Sequence, residues 1–310
     1  MTKARPMRTS PSHSDGSHKM TGMALMALAM LLVPGLDAIA KVLMERLPPL
    51  QVTFGRFLAQ SLVLLPLFLL THHGRSLKLW HVAAGLFLGL AMLSFNHALQ
   101  VMPIANALAI FFVEPLILTL FAALVLRERL GLHRLVAIFV GLSGALIVLQ
   151  PNVSAYGITA FFPLATAVLF SCYMLVTRRM SQSGDPLTLQ FWTGFFAAIA
   201  LLIGLGLNMV ASGPAEQALM PNARELILFV LLGLLAGLGH QLIIRSLSLI
   251  EAGDAAPFQY LEIVSAVILG WVVFGDFPDI STWIGAVVII GAGLNVVRFE
   301  LRERKVVEMR

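Results

Sequence analysis

The chain has 310 residues, of which 58% are hydrophobic and 12% charged, and a formal net charge of +5. A soluble domain carries about 25% charged residues, so this composition excludes an ordinary soluble enzyme or nucleic-acid-binding domain and makes lipid the solvent for most of the chain. A single cysteine, Cys172, excludes an intramolecular disulfide, and the sequence holds neither a Gly-x-x-x-x-Gly-Lys phosphate loop nor a His-Glu-x-x-His zinc pair.

Residues 1–20 are rich in Ser, His, Lys and Arg and are expected to form a disordered cytoplasmic tail. His13 and His18 are too few for a metal tract. A helix needs about 20 apolar residues to span a bilayer, and ten such runs follow: 22–43, 52–70, 79–99, 104–126, 135–149, 157–176, 187–209, 226–247, 255–274 and 282–297. Turn chemistry separates them at Pro48-Pro49, His72-His73-Gly74, Gln150-Pro151-Asn152, Ser183 to Pro186 and Gly275 to Asp279. No soluble domain fits between the runs.

Residues 85–128 reappear at 233–276 in type and spacing. Gly85, Gly89, Leu99, Ala107, Glu114 and Glu128 return as Gly233, Gly237, Leu247, Ala255, Glu262 and Asp276. The expected fold is therefore an all-α membrane protein with ten transmembrane helices in two five-helix repeats, 21–150 and 151–298, followed by a basic cytoplasmic tail, 299–310. Five is odd, so the second repeat enters the membrane in the opposite sense, as in many alternating-access transporters. With the N-terminus inside, the basic residues outside the runs fall on the cytoplasmic side, except Arg46 and Arg224. The positive net charge records this topology, so no nucleic-acid partner is expected.

Charges within the runs need partners or a wet cavity. Asp37 and Lys41 are four apart, the spacing of an ion pair on one helical face. The pair either locks helix one against its neighbours or gates a substrate or proton site, and Pro34 and Gly35 weaken the helix just before it. Arg56 keeps its charge under all ordinary conditions, and Glu114 is its expected partner. Pro115 leaves the carbonyl of Phe111 without its helical donor, opening the helix beside Phe111, Phe112 and Glu114. Glu262 holds the matching position in the second half, near Gln259 and Tyr260. Buried carboxylates in matched positions suggest a midplane site, and exchange of a proton there would couple transport to pH. Asn96, His97, His240 and Gln241 either face that cavity or bond between helices, while the Gly85/Gly89 and Gly233/Gly237 pairs suit close backbone packing. Phe95, Phe111, Phe170, Tyr173, Phe258 and Tyr260 on the same helices, with few net charges, suit a flat, aromatic, roughly neutral solute held by stacking and a few hydrogen bonds.

The Asp37-Ala-Ile-Ala-Lys41 segment, the Pro49-x-Gln51-x-x-Phe54-x-Arg56 segment, and Glu128 and Asp276 at two helix ends resemble the EamA branch of the drug/metabolite transporter superfamily. The resemblance covers about residues 20–300. It implies one ten-helix bundle around a cavity lined by helices one, three, four, six, eight and nine, and an inner-membrane secondary transporter of a small organic metabolite that needs no cofactor. The Pro34 to Lys41 segment most resembles bacterial riboflavin importers. Other members carry S-adenosylmethionine or export amino acids, and a non-transporting scaffold or sensor is the alternative of another class. Thr193 stands where Arg56 would recur and no Asp-Lys pair recurs near Cys172, so the halves are expected to contribute unequally to a site.

Overall fold

A computed structural model of the chain describes residues 13–70, 77–126, 132–181, 185–212, 219–247, 249–250, 258 and 261–308. The described residues are helical or turn throughout, without strands. The first repeat comprises α1 (His13–Leu43), α2 (Pro49–Leu70), α3 (Leu79–Leu99), α4 (Ile104–Phe111), α5 (Glu114–Leu126) and α6 (Leu132–Tyr156). A 3-10 turn, Gly157–Phe161, leads into the second: α7 (Phe162–Ser181), α8 (Pro186–Ser212), α9 (Ala223–Leu247), α10 (Leu261–Leu269) with a π-helical turn Gly270–Phe274, and α11 (Ile280–Glu308). Helices α1 and α11 extend into the stretches expected to be tails.

Among the described residues, seven helical stretches are long and apolar enough to cross a membrane, and two more, Leu261–Phe274 and Ile280–Asn295, are apolar but shorter. Leu135–Thr177 counts once although it runs for 43 residues. The turn expected at Gln150-Pro151-Asn152 is helical instead. Pro151 removes one backbone donor, but Asn152 Nδ2 donates to the Val148 carbonyl at 2.6 Å and Asn106 Nδ2 donates to Asn152 Oδ1 at 3.1 Å, holding the helix together. The break comes at Gly157, whose φ of 62° lies in the left-handed region open to glycine. The run 104–126 divides between α4 and α5, with Glu114 in the first turn of α5 and Pro115 behind it, where its missing N–H costs no helical bond.

Packing follows the duplication. Matching elements are α1 with α7, α2 with α8, α3 with α9, α4–α5 with α10, and α6 with α11. Helix α1 packs on α9 as α7 packs on α3, α3 on α8 as α9 on α2, and α1 on α10 as α7 on α5. The self-matched pairs α2–α8 and α6–α11 also pack. This is the pattern left by exchanging two halves about a twofold axis. The repeated glycines sit at matching crossings. A Cβ on Gly85 would lie 2.9 Å from the Thr193 carbonyl oxygen of α8, and one on Gly233 would lie 2.8 Å from the Ala59 carbonyl oxygen of α2.

The interior combines small residues with large ones, and α4 is buried from Ile104 through Ile110. Leucine, isoleucine and valine cover the outside, as at Leu202, Ile203, Leu207 and Val210 on α8. An apolar mantle of this extent suits lipid and not water. Side-chain caps start the later helices. Asp185 accepts from the Thr188 N–H at 3.0 Å, Asp279 accepts from the Thr282 N–H at 2.9 Å, and Asn222 and Glu225 cap one another reciprocally. Burial alone would push the Asp279 carboxyl up, and the hydrogen bonds it accepts, those from Thr282 foremost, together more than offset it, leaving it below its ordinary value.

Candidate functional site

Two matched interfaces carry the intramembrane acids, Asp37 and Glu114 buried and Glu262 half-buried. At one, α1 meets α10: Ser265 Oγ of α10 donates to the Leu31 carbonyl at 2.7 Å, tying the helices that bear Glu262 and Asp37. At the other, α7 meets α5: Ser171 Oγ donates to the Glu114 carbonyl at 3.2 Å. Helices α4 and α10 also pack together, so the two halves adjoin across the duplication.

Their charges differ. Asp37 is 6% exposed and interacts electrostatically with both Arg56 and Glu262. Arg56 Nε is buried without a hydrogen-bond partner. Two acids and one guanidinium thus share one locality. Glu114 stands apart from them, beside the Ser171 hydroxyl, with its Oε1 buried and unpartnered. The expected Arg56–Glu114 pair is not made. Arg56 of α2 interacts electrostatically with Asp37 of α1 and lies 5.9 Å from the Phe57 ring centre.

The Asp37–Lys41 pair is not made either. Lys41 Nζ donates to Asp276 Oδ2 at 2.8 Å and to the Met102 carbonyl at 3.1 Å, and lies 4.8 Å from the Phe274 ring centre. The physical reason is the turn after α10. Gly275, with φ of 70°, lets its N–H and that of Asp276 close back on the Trp271 and Gly270 carbonyls at 3.0 Å, which places the Asp276 carboxylate over the end of α1. A long lysine reaching outward meets it, while the short Asp37 side chain stays inside.

An aromatic chain joins α3, α4 and α7. Phe111 has ring centres at 6.0 Å from Phe95 and 5.6 Å from Phe170, and Phe170 lies 5.3 Å from Tyr173. His97 is engaged in the α3–α7 interface, its Nδ1 2.8 Å from the Leu93 carbonyl and its ring 5.4 Å from Phe162. Asn96 Nδ2 donates to Thr53 at 2.8 Å while its Oδ1 is buried and unpartnered. His240 and Gln241 lie half-buried on α9. Gln259, Tyr260 and Glu128 fall outside the described residues. Sequence reasoning missed Ser171, Ser265 and Glu225. For Glu225 the signal was present in the Asn222-x-x-Glu225 capping pattern, whereas a lone serine in an apolar run carries none.

Acids, a guanidinium and aromatic rings can bind and exchange solutes or protons. The chain matches the EamA-like transporter family over residues 20–150 and 157–297. It belongs to that family and is a multi-pass membrane transporter of a small molecule. It is 29% identical over 285 residues to a protein of Rickettsia felis named S-adenosylmethionine uptake transporter, covering 91% of this chain and 94% of that one. It is 31% identical over 226 residues to a Riboflavin transporter of Rhizobium johnstonii, covering 73% and 72%. A solved crystal structure with 20% identity shares the fold, with a TM-score of 0.59 over 93% of this chain and 98% of that chain.

Proposed function

We propose that this transporter takes up a heteroaromatic metabolite carrying positive charge, of which S-adenosylmethionine is the type. The observation that carries the reading is the gathering of two carboxyl groups and one guanidinium at the α1–α10 interface: Asp37 interacts electrostatically with both Glu262 and Arg56. Lys41 does not contribute there, since Asp276 engages it. A sulfonium and an ammonium would meet the carboxylates, a substrate carboxylate would meet Arg56, and an adenine ring would stack along Phe111, Phe170 and Tyr173. The length of the match to the Rickettsia felis relative supports this reading. A second reading, riboflavin uptake, is favoured by the aromatic chain itself, which suits a neutral three-ring solute, and by the Rhizobium johnstonii relative.

On this reading each repeat, 21–150 and 151–298, crosses the inner membrane five times and the repeats are inverted. The 43-residue stretch Leu135–Thr177 makes two crossings with its turn at Gly157. Residues 1–20 and 299–310 are cytoplasmic tails. Glu114 and Glu262 exchange protons as a cation leaves or arrives.

Cells of a bacterium without an S-adenosylmethionine uptake system should accumulate labelled S-adenosylmethionine when they express the chain, and excess riboflavin should not compete. Rescue of a riboflavin auxotroph at limiting riboflavin without S-adenosylmethionine uptake would instead favour the second reading. Neither outcome, with membrane expression confirmed, would count against both. For topology, reporter fusions at Gly74, Arg179 and Arg310 should report cytoplasm and those at Asn152, Pro214 and Phe277 the far side. A consistent reversal would overturn the orientation.

A further inference from the structure

Building on the transporter reading, we propose that Lys41, Asp276 and the Met102 carbonyl, flanked by Arg46 and Glu225, form a latch that shuts one mouth of the transport pathway. These groups gather at one end of the bundle. Lys41 is in the last turn of α1, Met102 in the α3–α4 connection, Asp276 just past the π-helical turn, Arg46 in the α1–α2 connection and Glu225 in the first turn of α9.

The Lys41 bond to the Met102 carbonyl stays within the first repeat, and the other side-chain bonds of the latch cross between the repeats. Lys41 reaches Asp276 at 2.8 Å, and Arg46 grips Glu225 with two bonds of 2.6 Å while its Nη2 reaches the Met220 carbonyl at 2.7 Å. Gln51 exchanges two bonds with the Leu219 backbone, at 2.6 and 3.0 Å. Donating to the Glu225 carboxylate also holds the Arg46 guanidinium charge more firmly than usual, raising its pKa. In an inverted-repeat transporter one repeat moves against the other around a central site. Bonds joining the repeats at one end must therefore break when that end opens.

Position and strength fit the role. Lys41 lies one helical turn from Asp37 on the same face of α1, so a solute leaving the acids along α1 toward this end meets the lysine first. The Lys41 and Asp276 side chains are 16% and 32% exposed. A partly exposed pair contributes little net stability, which permits reversible opening. A pair serving only to brace the fold would leave access to the interior unchanged when neutralised.

The test uses purified protein in detergent, so it needs neither a known substrate nor a known orientation. In a Cys172→Ser background, Ala38→Cys provides a buried thiol three residues below Lys41. Its labelling by a bulky charged maleimide should be slow, and Lys41→Met combined with Asp276→Asn should speed it roughly two- to fivefold, as loss of a partly exposed pair allows. Reversing the charges, Lys41→Asp with Asp276→Lys, should slow labelling again. An unchanged rate in the neutral variant, or no recovery in the reversed one, would overturn the latch. Absence of S-adenosylmethionine uptake alongside the expected labelling pattern would count against the substrate reading and leave the latch standing.

Discussion

Replacing Gly233 by alanine should destabilise the protein by roughly 1–3 kcal/mol, the usual cost of overpacking a tight contact. A Cβ there would sit 2.7 Å from the Ala59 carbonyl carbon and 2.8 Å from its oxygen, and both are backbone atoms that move only with α2 itself. Gly85→Ala should cost a similar amount, because its Cβ would sit 2.9 Å from both the Ala197 nitrogen and the Thr193 carbonyl oxygen of α8. The control is Gly206→Ala on α8, where nothing lies within 4 Å of the added atom. There alanine's better helix propensity should stabilise by up to about 1 kcal/mol. Thermal unfolding in detergent measures all three. Equal effects at Gly206 and Gly233 would mean that the crossings of α2 with α9 and α3 with α8 are looser than described.

Removing Arg56 should have the larger effect. Arg56→Met leaves Asp37 beside Glu262 without the cation that offsets it, and stranding a buried charge costs roughly 3–5 kcal/mol. Asp37→Asn alone strands the guanidinium instead. The double variant should therefore be more stable than the sum of the single losses predicts, by a coupling readable in a double-mutant cycle. Additive losses would show that the two groups act apart. The same cycle applied to Asp37 and Lys41 should give little coupling, since Asp276 is the lysine's partner.

That contrast marks what the sequence makes legible. Spans and duplication are written in local patterns: apolar runs, and pairs such as Gly85 with Gly233 that keep one spacing. The close contacts of both glycines follow from that pattern. The partner of a charge does not. Lys41 has a local candidate at Asp37 and a distant one at Asp276, and the geometry of the turn at Gly275 decides between them. Arg56 likewise turns to Asp37 on the neighbouring helix and not to Glu114. Pro151 is punctuation in sequence, yet Asn106 and Asn152 hold the helix through it and Gly157 makes the break. The caps at Asp185, Asn222 and Asp279 were readable from their spacing to Thr188, Glu225 and Thr282. Ser171 and Ser265 were not, because their role depends on which helix lies opposite.

The central claim is that buried carboxylates near a single guanidinium select a cationic heteroaromatic solute. S-adenosylmethionine and S-adenosylhomocysteine differ by the methyl group that makes the sulfur a cation, so their affinities for the purified protein test the claim most directly. S-adenosylmethionine should bind roughly tenfold or more tightly, as expected for the Coulomb attraction between its added cationic centre and a nearby carboxylate, and this preference should be lost in Asp37→Asn and Glu262→Gln. Equal binding of the two compounds, or binding of riboflavin with neither of them bound, would contradict it.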